Sequence, residues 1–311
     1  MQFGLMLEPH LGLTYPKMLA AARIAEDLGL EVLARSDHLA FPRRPEAHAT
    51  EAFATLAGLA RETRRIQLMV LVSPITFRHP AILAKAAATI DEMSGGRFAL
   101  GVGTGWMERE HALFGLPFPP WEERFARLEE SLQYLRAALG KAPGGFEGTH
   151  YRFEGGPVHP RPTGPLPIVV GGKGIRRTPR LAGRYADEYN LVSSSPADLA
   201  SRIAAARRAA QEAGRRPQDL VISVMASAAT GPTPAAFRRN LEAAAAADPQ
   251  GRSPDAIAEL LREHGEPVGP APEAREALAA LEAAGVSRFY LQHLGPFDRQ
   301  YLEDTFSALA G

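Results

Sequence analysis

Short apolar runs alternate with helical stretches along this chain, and that alternation restricts its fold more than any other feature. Gln2 to Leu7, Glu31 to Arg35, Ile66 to Val72 and Phe98 to Val102 read as strands. Their starts lie about 30 to 35 residues apart, the rhythm of βαβ units in a parallel sheet. Pro16 to Leu28, Thr50 to Thr63 and Pro80 to Met93 read as the helices between them. Each carries apolar residues at helical spacing: Met18, Leu19, Ala22, Ile24 and Ala25, then Phe53, Leu56, Ala57 and Ala60, then Ile82, Leu83, Ala86 and Ile90, the last set expected to face inward. Trp106 to Gly115 reads as a short helical turn and Trp121 to Ala138 as a long helix. Lys141 to Pro167, rich in Gly and Pro with a hairpin pattern from Gly145 to Phe153, breaks the rhythm. Strands at Pro167 to Val170, Glu188 to Val192, Leu220 to Ala226 and Val286 to Gln292 restore it, so the break reads as an insertion before strand five. Their helices are Thr178 to Tyr185, Asp198 to Ala213, an Ala-rich region from Phe237 to His264 interrupted by Gly251 and Pro254, Ala271 to Ala284, and Arg299 to Leu309. Eight strands with helices between them is the count of a (β/α)8 barrel, and 311 residues is an ordinary size for one. A doubly wound open sheet is the alternative. The expectation is one barrel domain over residues 1–311.

Composition narrows the function. Lys+Arg and Asp+Glu are both 35, giving a formal net charge of +0. Nucleic-acid and membrane-surface proteins need a basic field, so neither partner is expected. Cysteine is absent, which rules out a disulfide, a thiolate nucleophile or a thiolate metal site. No apolar run reaches the roughly 18 residues of a membrane span, and Met1 to Leu7 lacks the pattern of a signal peptide, so a cytoplasmic protein is expected.

A barrel's active site lies at the carboxyl ends of its strands. Glu8 and His10 follow strand one, Asp37 and His38 follow strand two, and Ser73 ends strand three. Thr104, Gly105 and Trp106 follow strand four, Gly171-Gly172-Lys173-Gly174 strand five, and Gln292 and His293 end strand eight. Taken singly, Asp37 could cap a turn, His38 could be a core histidine, and Glu8 and His10 could lie in an exposed loop. The glycines Gly101, Gly103 and Gly105 allow close ligand approach or, more plainly, a tight turn. They lack the spacing and downstream acid of a dinucleotide fingerprint. There is no G-x-S-x-G elbow and no His/Asp/Glu set with metal spacing, so neither serine hydrolysis nor a metal is expected. The glycine loop at a helix start, with Lys173, Arg176, Arg177 and Arg180 beside it, suits a phosphate. Arg43 and Arg44, in the loop after strand two, form a second basic patch that could meet an anionic tail or remain simply solvated.

These residues together resemble a known family. Ser36-Asp37-His38, Thr76-Phe77-Arg78-His79-Pro80-Ala81, Ser94-Gly95-Gly96-Arg97, Gly101-Val102-Gly103-Thr104-Gly105-Trp106, Gly148-Thr149-His150-Tyr151 and Gly171-Gly172-Lys173-Gly174 occur in order over about the first 200 residues. In this the chain is similar to the F420-dependent oxidoreductase branch of the luciferase-like monooxygenases. The resemblance implies a TIM barrel of the bacterial luciferase-like type, with coenzyme F420 or FMN at the carboxyl mouth and hydride transfer to or from its ring. It places a strand-three bulge, often with a non-proline cis peptide, at Leu71-Val72. It assigns cofactor contacts to Leu71, Val72, Ser73, Thr104, Gly105 and Trp106, and phosphate contacts to Gly171, Gly172, Lys173 and Gly174. His38 and Asp37 are the expected catalytic pair; Glu8, His10 and Gln292 are the expected substrate contacts. Some sugar-phosphate dehydrogenases of this branch carry glutamate where Trp106 stands, so an apolar, aromatic substrate wall is expected here instead. A small-molecule substrate and a homodimer are expected, the dimer pairing through the helix faces Phe53 to Ala60 and Ile82 to Ile90. The alternatives are an FMN-dependent monooxygenase and a non-catalytic flavin-binding relative whose cleft Trp106 would block.

Overall fold

The computed structural model describes residues 1–44, 46–140, 144–248, 250–293 and 298–311. Eight parallel strands close into a barrel: Gln2–Leu7, Val32–Arg35, Gln67–Pro74, Phe98–Gly103, Ile168–Gly171, Glu188–Val192, Val221–Ala226 and Arg288–Gln292. Neighbours in the barrel are neighbours along the chain, and the eighth strand closes on the first with Gln2 opposite Arg288 and Met6 opposite Gln292. The strands read as nearly unbroken apolar runs because both of their faces are covered. Alternate side chains separate two cores. Met6, Val32, Ala34, Met69, Leu71, Ala99, Val169 and Tyr290 fill the barrel. Leu5, Leu7, Leu33, Leu68, Val70, Phe98 and Leu100 point outward into the much larger core shared with the helices. The amino end of the barrel is plugged: the Tyr290 hydroxyl donates to Glu188 Oε1 at 2.9 Å, and Arg288 pairs with the same carboxylate. That leaves the carboxyl end for chemistry.

The expected helices form with small shifts at their ends. The Trp106 to Gly115 turn contains a helix at Glu108–Leu113, and Trp121–Leu139 is the long one. The hairpin in the insertion pairs Phe146–Glu147 with Arg152–Phe153. The Glu130 carboxylate ties it to the long helix by accepting from the backbone N–H of Thr149, His150 and Tyr151 at 2.9, 2.8 and 3.0 Å. Lys141, where the insertion was expected to begin, lies outside the described residues.

Two expectations need correction, and one feature, a short parallel ribbon, was not anticipated. Ile82 is 58% exposed and points away from the core, while Leu83 and Ile90 of the same helix are buried. The faces of Ala52–Glu62 and Pro80–Ser94 that were to pair two subunits are spent inside the chain. Phe53, Leu56, Leu59, Ala60, Leu83, Ala84 and Ala87 all belong to the buried core. The Ala-rich region after strand seven is two helices, Pro234–Ala247 and Pro254–Glu263, flanked by a parallel ribbon of Ala229–Gly231 on Val268–Pro270. Strands of three residues carry too little periodicity to be read from sequence.

Candidate active site

The mouth is organised around the end of strand three. Pairing with strand four runs Val70 to Leu100 and then jumps to Ser73 opposite Val102, so a bulge occupies Leu71-Val72. The Leu71-Val72 peptide is cis. The Val72 side chain lies in a cradle of three glycines. A Cβ on Gly101 would sit 2.9 Å from Val72 Cγ1 and 2.3 Å from the Val70 carbonyl oxygen. One on Gly103 would sit 2.8 Å from Val72 Cγ2, and one on Gly171 2.9 Å from Val72 Cγ1. Gly101 and Gly103, read from sequence as a turn or a route for ligand approach, and Gly171, read as part of a phosphate-holding loop, make room for a neighbouring side chain. Positive φ is needed elsewhere, at Gly105 (φ 76°) and Gly172 (φ 153°).

Asp37 is 2% exposed, and both of its oxygens are engaged. Ser73 Oγ donates to Oδ2 at 2.7 Å, and Arg78 donates to Oδ2 at 2.5 Å and Oδ1 at 3.3 Å. Arg78 also pairs with Glu51, the N-cap of the Ala52–Glu62 helix. Burial opposes the Arg78 charge, but Asp37 and Glu51 outweigh it and raise its pKa above the ordinary arginine value. Asp37, expected as half of a catalytic pair, is therefore an anchor joining the loops after strands two and three. Arg35, the residue ending strand two, is 1% exposed and reaches outward. It donates to the carbonyls of Ser36 and Thr50, each at 2.9 Å, and to Thr55 Oγ1 at 3.0 Å. Burial pulls its pKa down to about 10.

His38 does not share that anchor. Its Nδ1 donates to Glu110 Oε2 at 2.9 Å. Glu110 is 1% exposed, and its other oxygen accepts from the backbone N–H of Leu39 and, at 3.1 Å, of Ala40. Burial opposes a charge on His38, but the Glu110 hydrogen bond and charge, helped by Glu8 and Asp37, leave its pKa raised. The His38 ring lies 4.4 Å, centroid to centroid, from His10 and 5.8 Å from Trp106, which meets it edge-on. His10 is pushed down to about 3, by burial first and then by His38 and Arg35, so it is neutral. Its Nδ1 lies 3.4 Å from Ser36 Oγ and 3.5 Å from Glu8 Oε2. Gln292 Nε2 donates to Glu8 Oε1 at 2.7 Å, bringing the ends of strands one and eight together. Glu8, His10 and Gln292, expected as substrate contacts, thus form one cluster beside His38, and neither Glu8 nor His10 is the exposed loop residue it could have been. Phe41, 5.7 Å from His10, and Trp106, 70% exposed, add aromatic wall.

Glu110 was not anticipated. It lies in a six-residue helix whose apolar pattern is too short to show which face is buried. Its neighbour His111 was missed for the same reason; His111 Nδ1 contacts the Met107 carbonyl at 2.9 Å, and Nε2 meets Thr76 Oγ1 at 2.7 Å.

The Gly171 to Gly174 loop lies beside strand four at the same end of the barrel. A Cβ on Gly174 would fall 2.4 Å from Thr178 Oγ1, so the loop packs closely on the first turn of the Arg177–Tyr185 helix. Lys173 is exposed, and its carbonyl accepts from Arg202 at 3.3 Å. The basic cluster is weaker than its sequence suggests. Arg177 pairs with Glu122 at 4.0 Å and Arg180 with Glu129 at 3.1 Å. Lys173 and Arg176 have no ion-pair partner among the described residues. In the second patch Arg44 pairs loosely with Glu46 at 3.8 Å, and Arg43 has no ion-pair partner among the described residues. Among the described residues no group of three or more His, Asp or Glu side chains could hold a metal ion, and no helix is long and apolar enough to cross a membrane.

A (β/α)8 barrel with this mouth has known counterparts. The F420-dependent glucose-6-phosphate dehydrogenase of Nakamurella multipartita is 37% identical over 199 residues, 63% of this chain and 58% of that protein. The chain spans a little over half the length of the curated relatives it matches. Among solved structures, an F420-dependent secondary alcohol dehydrogenase in complex with an F420-acetone adduct superposes with a TM-score of 0.82 at 20% identity, covering 99% of this chain and 98% of that one. The coenzyme F420 dependent tetrahydromethanopterin reductase of Methanopyrus kandleri does so with 0.78 at 21% identity, with the same coverage. At those identities the two structures speak to the fold. The sequence model described as luciferase-like monooxygenase matches residues 1–298, almost the full length, and the chain belongs to that family.

Proposed function

We propose that this protein is an F420-dependent oxidoreductase that transfers a hydride between the deazaflavin and a small, largely uncharged organic substrate. The observation that carries the reading is the sequence likeness to F420-dependent glucose-6-phosphate dehydrogenases, 37% identity over 199 residues of the chain in the first of them. The bulge at Leu71-Val72 and the adjoining Ser73, Thr104, Gly105 and Trp106 would support the ring. Gly171, Gly172, Lys173 and Gly174 would hold the phosphate through backbone N–H groups and one free ammonium. Arg176 and Arg43, which have no ion-pair partner among the described residues, suit the anionic tail that distinguishes F420 from FMN. When bound, the cofactor supplies the two-electron hydride chemistry. The chain supplies the rest: His38 moves a proton, Glu110 positions its ring, Asp37 anchors the loop that carries it, and Glu8, His10 and Gln292 contact the substrate. Trp106 and Phe41 favour an apolar or aromatic substrate over a sugar phosphate, because they present aromatic rings to His38 and His10. The protein would work in the cytoplasm as a homodimer, through a face other than the two helices first considered.

Titration with F420 and FMN over a salt series tests the reading. F420 should bind more tightly at low salt and lose affinity more steeply as salt rises, and a double variant Arg43→Ala, Arg44→Ala should remove part of that slope. Tighter binding of FMN across the series would overturn the assignment in favour of a flavin monooxygenase.

A further inference from the structure

We propose that Glu110 is a positioning residue that keeps His38 in its proton-donating form, so that this mouth is built to reduce a polarised double bond. The inference rests on the deazaflavin reading above and assigns the direction in which the site works at neutral pH. Its basis is geometric. Glu110 is a buried carboxylate with three partners, and all three are the His38 ring or the two backbone amides that follow it. A carboxylate accepting from Nδ1 fixes both the orientation of the ring and the position of its proton. Nε2 is then the one nitrogen left to meet a ligand; it makes no hydrogen bond among the described residues.

The surrounding charges act in the same sense. Glu8, from the end of strand one, and Asp37, from His38's own loop, add negative potential at the ring. The cations Arg78 and Arg35 are turned away, Arg78 onto Asp37 and Glu51, and Arg35 onto the Ser36 and Thr50 carbonyls and Thr55. The imidazole tilted against His38, 4.4 Å away between centroids, belongs to His10, which stays neutral and so does not repel the charge. Trp106 and Phe41 are uncharged. The two rings thus lie side by side, each with its own carboxylate, Glu110 for His38 and Glu8 for His10.

The chemistry balances as follows. A carbonyl or imine carbon accepts a hydride, with its electron pair, supplied by the reduced deazaflavin. The π pair of the C=O or C=N bond moves to the heteroatom, which takes the proton from His38 Nε2. In all the substrate gains two electrons and two protons, both electrons and one proton arriving as the hydride and the other proton from His38; the hydride donor is oxidised by those two electrons, and neutral His38 regains a proton from water. A neutral His38 would instead suit removal of an alcohol proton, the reverse step.

The first readout needs neither cofactor nor substrate. Nitrogen-15 spectra of the histidine side chains are followed against pH in the apo protein, with His38→Asn for assignment. His38 in the wild type should titrate above the ordinary histidine value of about 6.5. Glu110→Gln should move it down, because a glutamine amide offers Nδ1 a donor or a weaker acceptor. Glu110→Asp, which keeps the charge, should restore most of the shift. Wild-type His38 titrating at or below the ordinary value overturns the proposal, whether or not any variant folds. The second readout uses reduced F420 and benzaldehyde. The reduction rate should fall as pH rises through the His38 titration, and in Glu110→Gln that fall should move to lower pH by the same interval seen in the spectra. At neutral pH kcat should drop about a hundredfold, the low end of what a placed proton donor contributes, with KM little changed. A profile unmoved by Glu110→Gln overturns the proposal. So does absence of benzaldehyde reduction at every pH in a protein that binds F420 and holds a charged His38. Failure to bind F420 at all is a different result: it removes the cofactor reading and leaves the apo titration to decide the role of Glu110.

Discussion

The three-glycine cradle around Val72 makes a prediction whose parts can be separated. Gly171→Ala places a Cβ 2.9 Å from Val72 Cγ1; its next contacts, Val72 Cγ2 at 3.7 Å and Asn190 Cβ at 3.8 Å, are ordinary. The clash is therefore with one methyl of one side chain. Overpacking of this kind costs about 1–3 kcal/mol. Val72→Ala alone removes two partly buried methyl groups, about 1 kcal/mol at roughly 0.8 kcal/mol per fully buried carbon. It also removes the atom that Gly171→Ala would strike. The double variant should then be about as stable as Val72→Ala by itself, giving a favourable coupling of about 1–3 kcal/mol in a double-mutant cycle, the whole cost of Gly171→Ala. Gly101→Ala is the control, because its Cβ would lie 2.3 Å from the Val70 carbonyl oxygen, and shortening Val72 does not relieve a backbone contact. Thermal unfolding of the four proteins and the control reads the energies, at roughly 2 °C per kcal/mol for a chain this long. Strict additivity of Gly171→Ala and Val72→Ala would refute the steric account and return Gly171 to a role in ligand contact alone.

Other expectations concern charge. Lys173→Ala should weaken F420 by about tenfold to a hundredfold, the worth of a charge-assisted contact, and do little to a phosphate-free deazaflavin, as a fluorescence titration of both ligands would show. Asp37→Asn should cost about 1.5–3 kcal/mol in chemical denaturation, because it leaves half-buried Arg78 with Glu51 as its one carboxylate among the described residues, while cofactor-free His38 should keep its Glu110 bond. His10, pushed down to about 3 from an ordinary 6.5, binds fewer protons folded than unfolded. Its contribution to stability is present above pH 6.5 and is lost as pH falls toward about 3, so His10→Gln should flatten the wild-type loss over that window; an unchanged pH slope would mean that His10 is not buried neutral.

The barrel was legible because it is built from repetition. Each strand is a short apolar run, each helix an apolar stripe, and the eightfold count leaves few architectures open. The mouth was legible to the extent that barrel geometry points to strand ends: Glu8, His10, His38, Trp106 and Gln292 were all found by that rule, and they do converge. What escaped was pairing across the mouth. Nothing in a linear sequence joins Asp37 to Arg78 or His38 to Glu110, which lie 41 and 72 residues apart. The glycines show a different limit. Sequence marks where a side chain is forbidden, but the reason, here Val72 on another strand, is a fact of packing. Ile82 was misassigned because a stripe that is apolar on most of a helix does not say where the covered arc ends.

Arg35 has one more consequence. By holding the carbonyls of Ser36 and Thr50 with a single guanidinium, it fastens together both feet of the excursion that runs from strand two to the Ala52–Glu62 helix. A loop whose ends are already closed can change length cheaply, since each doubling adds only about 0.6 kcal/mol of closure entropy. The chain can therefore accept insertions, deletions or a backbone nick between Arg43 and His48 while the barrel and the His38 seat stay intact. That makes this excursion, which carries Phe41 to the rim, the place where substrate preference could be rewritten by grafting without redesigning the scaffold beneath it.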